Sequence, residues 1–410
     1  MTYKKSVIIL FILSCFLFVG CQEKSLDEDN NSSKDDIGHI ENDHMVPIDD
    51  RIKSMSIEEK IGQLIVVGFD GSSINEEAIE FIEDLKVGGF ILFSRNIIDE
   101  NSVLGLLNNL KEANSNNDIP LLLSIDEEGG MVSRLPKSFV KLPDAMTVGN
   151  KNDEEISYGF GKMLGDRVKA LGFNTNFAPV LDINSNPNNP VIGNRAFGTE
   201  VNQVVSSGIQ VMKGIRESGV IPAVKHFPGH GDTNIDSHIN LPIVRKDMDE
   251  LKFFELLPFI SAIEEDVEMI MVAHILYPEI DKDYPATMSF EVIQRTLRDE
   301  LGYDGVIVSD DMTMGAIVKN YTLEDGVLQF IKSGGDIALI CHGKDNPRKA
   351  VEKIADAVNS GELSEEDIDK KVYRILKLKD KFNLEDSVID KLDLQEINHN
   401  TTKLIDEINR

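Results

Sequence analysis

The stretch GVIVSD at residues 305–310 is an apolar, β-branched run that ends in a carboxylate. Its apolar residues follow one another without alternation, which is typical of a strand buried on both faces of a parallel sheet. Amphipathic helical patterns separate this run from others like it along the chain. Seven further runs of this kind occur at residues 64–69, 89–93, 121–126, 176–182, 223–226, 269–274 and 337–341.

The eight runs and the helical segments between them predict an α/β fold, a (β/α)8 TIM-type barrel with additional C-terminal helices. We place the barrel at residues 47–383 and a helical tail without an assigned role at residues 384–410. The folded part should begin near Ser56, because Ser56 and Glu59 have the spacing of a capping box. A doubly wound open sheet is the alternative, but no glycine-rich dinucleotide fingerprint follows the first run.

Residues 1–20 have the pattern of a secretory signal peptide, with two lysines before an apolar run that is too short to span a membrane. The sequence LFVGC at residues 17–21 resembles a bacterial lipobox and predicts that Cys21 is lipidated, although Phe18 stands where that motif usually has leucine. An uncleaved apolar anchor is the alternative. Either interpretation places the protein outside the cytoplasm, and we expect a lipoprotein of the cell membrane.

The segment at residues 22–46 is polar and acidic, and we expect residues 21–46 to form a lipidated, disordered tether. The 410-residue chain has 41% hydrophobic residues, 28% charged residues and a formal net charge of −29. This charge argues against a nucleic-acid partner, because binding to phosphates requires clustered cations. Of the three cysteines, one leaves with the signal peptide and Cys21 carries lipid, so we expect Cys341 to form no intramolecular disulfide.

Polar residues stand at the carboxyl ends of the predicted strands, where the catalytic residues of barrels collect. Several of them converging on one rim predict a functional site, but they do not identify its reaction. The residues selected in this way are Asp126, Asp182, Lys225, His226, His274, Ser309, Asp310 and Asp311.

The segment KHFPGHGDTNIDSH at residues 225–238 is the most informative for chemistry. Two glycines flank a histidine in a loop that leaves a strand end and returns with Asp236 and His238. A carboxylate two residues from a histidine can orient the imidazole and raise its pKa, which would make a proton donor usable near neutral pH. Spacing alone favours an ordinary hydrogen bond within a loop over a catalytic role.

The same segment resembles the signature of the β-N-acetylhexosaminidase branch of glycoside hydrolase family 3. The resemblance covers roughly residues 50–382, and its motifs stand in the order that the family has. Four further motifs carry it: IDEEGGMVSRL at residues 125–135, NFAPVLDI at 176–183, GNRAFG at 193–198 and VIVSDDMTMGAI at 306–317.

The resemblance implies a single-barrel, retaining exo-β-N-acetylglucosaminidase that acts through a glycosyl-enzyme intermediate. It implies that Asp310 is the nucleophile and that His238, oriented by Asp236, is the acid and base on a loop that folds over the substrate. Peptidoglycan fragments are the expected substrate, and the resemblance implies no cofactor and no metal. The positions that match the family's sugar-binding residues are Asp126, Arg134, Arg195, Lys225 and His226.

A retaining glycosidase needs one ionised group to attack and one protonated group to assist the leaving group. We expect Asp310 to stay ionised because substrate-binding cations surround it. The next residue, Asp311, is a poorer candidate, since neighbouring side chains of a strand point to opposite sides.

Several other functions remain open. Four of the eight histidines, at positions 226, 230, 238 and 274, are compatible with a metal-dependent barrel hydrolase, although no His-x-His follows the first strand. A non-catalytic binding lipoprotein is disfavoured because Asp310, Asp236 and His238 are all present. A family 3 β-glycosidase for other sugars is a further alternative, although such enzymes usually lack the GHG and DSH segments of residues 229–238. A phosphorylase is another, because an imidazole donor does not repel an anionic acceptor such as phosphate.

Overall fold

The computed structural model describes residues 46–410. The predicted signal peptide at residues 1–20, the predicted lipidated Cys21 and all of the predicted tether except its last residue lie outside this range. Within it, no helix is both long enough and apolar enough to cross a bilayer.

The core is a closed barrel of parallel strands in which each strand pairs with its neighbours in sequence and β8 pairs with β1. The predicted (β/α)8 barrel is therefore confirmed. Its strands are β1 (Ile65–Val67), β2 (Gly89–Leu92), β3 (Leu122–Ile125), β4 (Thr175–Asn176), β5 (Ile221–Phe227), β6 (Met269–Val272), β7 (Val306–Asp311) and β8 (Ile337–Ile340).

Fourteen α-helices within residues 46–410 surround and close this barrel. They are α1 (Ile48–Ser54), α2 (Ile57–Gln63), α3 (Glu76–Glu83), α4 (Glu100–Ala113), α5 (Ala145–Gly149), α6 (Glu154–Leu171), α7 (Val201–Glu217), α8 (Met248–Phe253), α9 (Leu257–Glu264), α10 (Gly315–Val318), α11 (Leu323–Lys332), α12 (Asn346–Asn359), α13 (Glu365–Lys381) and α14 (Leu394–Ile408). A wide π-type helix covers Glu291–Glu300, and short 3-10 turns occur at Ser94–Asn96, Asn114–Asn116, Gly193–Arg195 and Ala286–Met288.

The strands are buried along nearly their whole length, as their unalternating sequences predict. The boundary of β4 differs most from the sequence pattern, because regular pairing ends at Asn176 and the apolar run continues to Asp182 outside the strand. Pro179 lies in this continuation and has no N–H for a ladder hydrogen bond. An isolated bridge between Val180 and Lys225 keeps the segment beside β5.

Helix α2 begins with the predicted capping box. The Ser56 side chain accepts from the Glu59 N–H, and the Glu59 carboxylate accepts from the Ser56 N–H. These two bonds satisfy donors that a helix start would otherwise leave unpaired.

The C-terminal segment packs on the outside of the barrel. Thr401 and Ile408 of α14 are buried, and α14 lies against α6. The Asn398 side chain accepts from the Val140 N–H at 2.8 Å and donates to the Ser138 carbonyl at 2.8 Å. The tail thus holds the loop that follows β3.

Candidate active site

A cavity of about 350 Å³ opens at the carboxyl ends of the strands. The structure brings seven of the eight predicted catalytic and sugar-binding residues to its wall, and the eighth, Asp236, contacts one of them. The seven are Asp126, Arg134, Arg195, Lys225, His226, His238 and Asp310.

Lys225, in β5, lies at the bottom of this cavity between two carboxylates. Its Nζ is 2.7 Å from Asp126 and 2.6 Å from Glu128. Burial alone would lower the pKa of Lys225, but the two carboxylates raise it. The lysine is therefore a fixed cation.

Arg195 follows β4 and is a second cation paired with Glu128. Its Nε and Nη2 each donate to a Glu128 oxygen at 2.8 Å, which is the bidentate geometry of a strong ion pair. Burial would raise the pKa of Glu128, but Arg195 and Lys225 lower it well below its usual range. We refer to Asp126, Glu128, Arg195 and Lys225 as the ion-pair floor.

His226 is held beside the floor by Asp182. The His226 Nδ1 donates to Asp182 at 2.6 Å, and the Asp182 carboxylate also accepts from the His230 N–H at 2.6 Å. Burial would raise the pKa of Asp182, but His226 and the hydrogen bonds lower it. The Nε2 of His226 faces Arg195 at 3.4 Å, so the ring is fixed with one edge toward the cavity.

Asp310 stands near the end of β7 with its carboxylate in the cavity. Burial would raise the pKa of Asp310, but His274, His226, the Asp311 N–H and His238 lower it to about 2. The N–H of Asp311 donates to the Asp310 Oδ1 at 2.8 Å. Asp310 is therefore ionised at neutral pH, although its surroundings are imidazoles and a backbone N–H rather than the cations that the sequence suggested.

The carboxylate of Asp311 is engaged in local structure. Its Oδ1 accepts from the Thr313 N–H at 2.9 Å and from the Cys341 N–H at 3.1 Å. These bonds fix the turn after β7 against the end of β8. They make Asp311 a poorer nucleophile than Asp310, although Asp311 lines the same cavity rather than the opposite side of the strand.

The loop at residues 229–243, called the flap here, carries His238. The His238 Nδ1 lies 2.9 Å from the Asp236 Oδ1, and the His238 N–H donates to the same oxygen at 2.8 Å. Partial burial would raise the pKa of Asp236, but these hydrogen bonds lower it. The His238 side chain is 68% exposed. The flap thus presents an accessible imidazole whose second nitrogen is held by a carboxylate.

Two glutamates at the site were not singled out by the sequence analysis. Glu128 balances the positive charges of Arg195 and Lys225, and Glu127 supports the loop that carries Arg134. The Glu127 carboxylate accepts from the Arg134 N–H and from Ser133, each at 3.0 Å, and faces the buried Arg167 at 3.9 Å. Both glutamates lie within the motif at residues 125–135, but their partners are distant in sequence.

Two histidines near the cavity, His230 and His274, have hydrogen-bond partners at both ring nitrogens. His230 contacts Thr233 at 2.8 Å and Ser237 at 3.2 Å, so both ring nitrogens have partners. The ring nitrogens of His274 contact the Thr287 hydroxyl and the Asp311 carbonyl. Within residues 46–410, no group of three histidine, cysteine or acidic side chains is arranged to hold a metal ion. The arrangement favours structural roles for these imidazoles.

Comparison with known proteins assigns the barrel to a family. Residues 56–378 match the family described as glycosyl hydrolase family 3 N terminal domain. A β-hexosaminidase A of Pseudoalteromonas piscicida is 36% identical over 334 residues, which are 76% of this chain and 56% of that protein. The chain thus spans about half the length of this relative. A β-hexosaminidase of Thiobacillus denitrificans is 34% identical over 291 residues, 70% of this chain and 79% of that protein.

Solved structures agree with this assignment. A family 3 β-N-acetylglucosaminidase from Paenibacillus sp. str. FPU-7 superimposes with a TM-score of 0.81 at 40% identity, over 86% of this chain and 68% of that one. A β-N-acetylhexosaminidase from Beutenbergia cavernae superimposes with a TM-score of 0.74 at 26% identity, over 80% of this chain and 99% of that one.

Proposed function

Because the chain belongs to glycosyl hydrolase family 3, we propose that it is a retaining exo-β-N-acetylglucosaminidase. One Asp310 oxygen attacks the anomeric carbon of a terminal β-linked sugar, the bond to the leaving oxygen breaks, and His238 gives its proton to that oxygen. Water then attacks the glycosyl-enzyme and gives a proton to His238. The sugar leaves with its configuration retained, and Asp310 is again a carboxylate.

The observation that carries this proposal is the pairing of two groups in one cavity. Asp310 is a half-buried carboxylate that stays ionised, and His238 is an exposed imidazole backed by Asp236. A double displacement requires these two protonation types at once.

The other carboxylates of the cavity are poorer nucleophiles. Asp126 and Glu128 are each ion-paired with Lys225, and Glu128 also with Arg195. Within residues 46–410, Asp310 has no lysine or arginine in ion-pair contact. Its charge is thus available for attack, whereas the floor is suited to hydrogen-bonding the sugar hydroxyls.

The buried floor supports recognition of a terminal sugar. It closes one end of the cavity with charged side chains whose positions are fixed by one another, and such groups recognise hydroxyls by direction. The choice of N-acetylglucosamine rests on the relatives, which are named as β-hexosaminidases and a β-N-acetylglucosaminidase.

A trapping experiment tests the proposal. The protein is incubated with a 2-acetamido mechanism-based glycosidase inhibitor, digested, and analysed by mass spectrometry to locate the modified residue. We expect one label per chain, on Asp310, with loss of activity in proportion to labelling. A label on another carboxylate, or inactivation without a covalent product, would contradict the mechanism.

We also propose that the protein is a lipoprotein that displays its barrel outside the cytoplasm and releases N-acetylglucosamine from peptidoglycan fragments. The lipobox-like sequence ending at Cys21 supports the anchor, and wall fragments would be within reach of a protein at that location. In the native host, metabolic labelling with a palmitate analogue should mark the wild-type protein and leave a Cys21→Ser variant unmarked. Equal labelling of both proteins would argue against lipidation at this residue.

A further inference from the structure

The tip of the flap rests on the segment that follows β7. The Ala316 N–H donates to the Ser237 carbonyl at 3.1 Å, and the Lys319 Nζ donates to the Ile239 carbonyl at 2.6 Å. These two bonds lie on either side of His238. The flap is thus held at its tip by α10 and the residue that follows it.

Gly315 leaves the space in which this contact forms. A methyl group at this position would lie 2.6 Å from the His238 carbonyl oxygen and 2.8 Å from that of Ile239. Both distances are shorter than the closest approach of a non-bonded carbon and oxygen, so the methyl group would force the flap or α10 to shift. The backbone of Gly315 does not have a positive φ, so the requirement for glycine here is one of space and not of backbone conformation.

The base of the flap has its own supports, which do not involve α10. The Lys246 Nζ lies 2.7 Å from Asp232 and 2.5 Å from the buried Glu255. Tyr277 donates to the Gly229 carbonyl at 2.9 Å. A change at the tip therefore leaves these anchors in place and acts on the position of His238.

The docking surface and the nucleophile belong to the same short stretch of chain, since Gly315 comes only a few residues after Asp310. A shift of the tip relative to α10 is therefore a shift of the imidazole relative to the attacking carboxylate. Catalytic groups must be held to a fraction of an ångström for efficient proton transfer.

We propose that Gly315 and Lys319 are positioning residues that set the place of the proton donor His238 over Asp310. The inference rests on the proposed function and deepens it, because it names the surface against which the acid and base is placed. Neither residue needs to touch the substrate for this role.

The test compares substrates that differ in their need for a proton. A 2,4-dinitrophenyl β-N-acetylglucosaminide has a good leaving group, whereas N,N′-diacetylchitobiose has a poor one. For Gly315→Ala we expect kcat/KM to fall by about 30- to 100-fold with the disaccharide and by less than about threefold with the aryl substrate, since only the disaccharide requires general acid catalysis. Lys319→Met should lower kcat/KM with the disaccharide by about three- to tenfold and leave the aryl substrate nearly unaffected. Lys319→Arg, which keeps a donor at this position, should retain most of the wild-type activity.

Two control variants separate docking from general effects. Gly105→Ala adds a methyl group in α4, where no atom lies within 4 Å, and Lys403→Met removes a surface lysine of α14. Both should retain wild-type rates on both substrates. Equal losses on both substrates for Gly315→Ala, or wild-type rates with the disaccharide, would overturn the docking proposal. A wild-type protein inactive on the aryl substrate would instead overturn the proposed function.

Discussion

The ion-pair floor and the flap line one cavity and are built in opposite ways. Every charge of the floor has an opposite charge within 3 Å, and the Lys225 side chain is 3% exposed. The flap holds His238 through Asp236 and through backbone contacts at its tip, and leaves that side chain 68% exposed.

This difference separates two requirements of glycoside cleavage. Binding the sugar in one orientation requires groups that do not move, and mutual ion pairing fixes them. Proton transfer requires a group that reaches the leaving oxygen and, in the second step, the attacking water. Asp310 lines the same cavity, is half-buried, and has no ion-pair partner of its own within residues 46–410.

Replacing Asp310, which belongs to neither region, should have the largest effect. Asp310→Ala should lower kcat/KM by on the order of 10⁴-fold or more with both aryl and disaccharide substrates, because each requires the covalent intermediate. The measurement is steady-state kinetics, with a thermal melt to show that the fold persists. Activity within about tenfold of wild type would overturn the assignment of the nucleophile.

Removal of the flap's imidazole should distinguish substrates. His238→Ala should lower kcat/KM by about 10²- to 10³-fold with the disaccharide and by less than about tenfold with the dinitrophenyl substrate. The measurement is the dependence of the rate on the pKa of the leaving group. This dependence should be steeper for the variant than for the wild type. Equal losses over a series of leaving groups would reject the acid role.

A substitution in the ion-pair floor should lower kcat/KM for both substrates alike. Glu128→Gln leaves Arg195 and Lys225 with less compensating charge in a buried place. We expect the free energy of unfolding to fall by about 3–5 kcal/mol, because one partner of a buried ion pair is removed. We also expect kcat/KM to fall by about 10- to 100-fold with both substrates alike, by the loss of well-placed sugar contacts. Urea titrations and kinetics on the two substrates provide the check, and a selective loss on the disaccharide would mean that floor and flap are coupled.

Mild acid should destabilise the protein through His230 of the flap. Burial lowers the pKa of His230 to about 4, from an ordinary value of 6.5. Between these values the unfolded chain binds the proton and the folded chain does not, so stability falls as the pH drops from 6.5 toward 4. The loss should be up to about 3 kcal/mol for the wild type.

The matched variant for this measurement is His230→Asn, which has no group that titrates in that range. Urea titrations from pH 6.5 to pH 4 should show a smaller loss of stability in the variant than in the wild type. The carboxylates with lowered pKa values, Glu128 of the floor and Asp310, cost stability only as the pH falls through their ordinary values of 4.5 and 3.8. They therefore contribute little above about pH 5, and they contribute alike in both proteins. Parallel pH profiles for the two proteins would show that His230 is not the group that titrates.

The barrel could be predicted from the sequence because burial on both faces leaves a direct trace, an apolar run without alternation. The end of β4 could not, since the run from residue 177 to 181 is apolar throughout but leaves the sheet around Pro179. Hydrophobicity records burial, and the residues after Asn176 remain buried although they no longer pair regularly.

The site was predictable where residues stand at strand ends or in motifs, as with Lys225, His226 and Asp310. It was not predictable where a role depends on a partner far along the chain. Glu128 lies 67 residues from Arg195, and nothing in its local sequence indicates which cation it neutralises. The contact between the flap and Gly315 is of the same kind, because it joins two loops that only the closed barrel brings together.

The exposure of the His238 ring determines how the acceptor of the second step reaches the active site. In the proposed cycle the imidazole regains its proton from the water that attacks the glycosyl-enzyme. Because the ring meets bulk solvent directly, that water can arrive without passing through the interior of the barrel. Small nucleophiles dissolved in the buffer have access by the same opening.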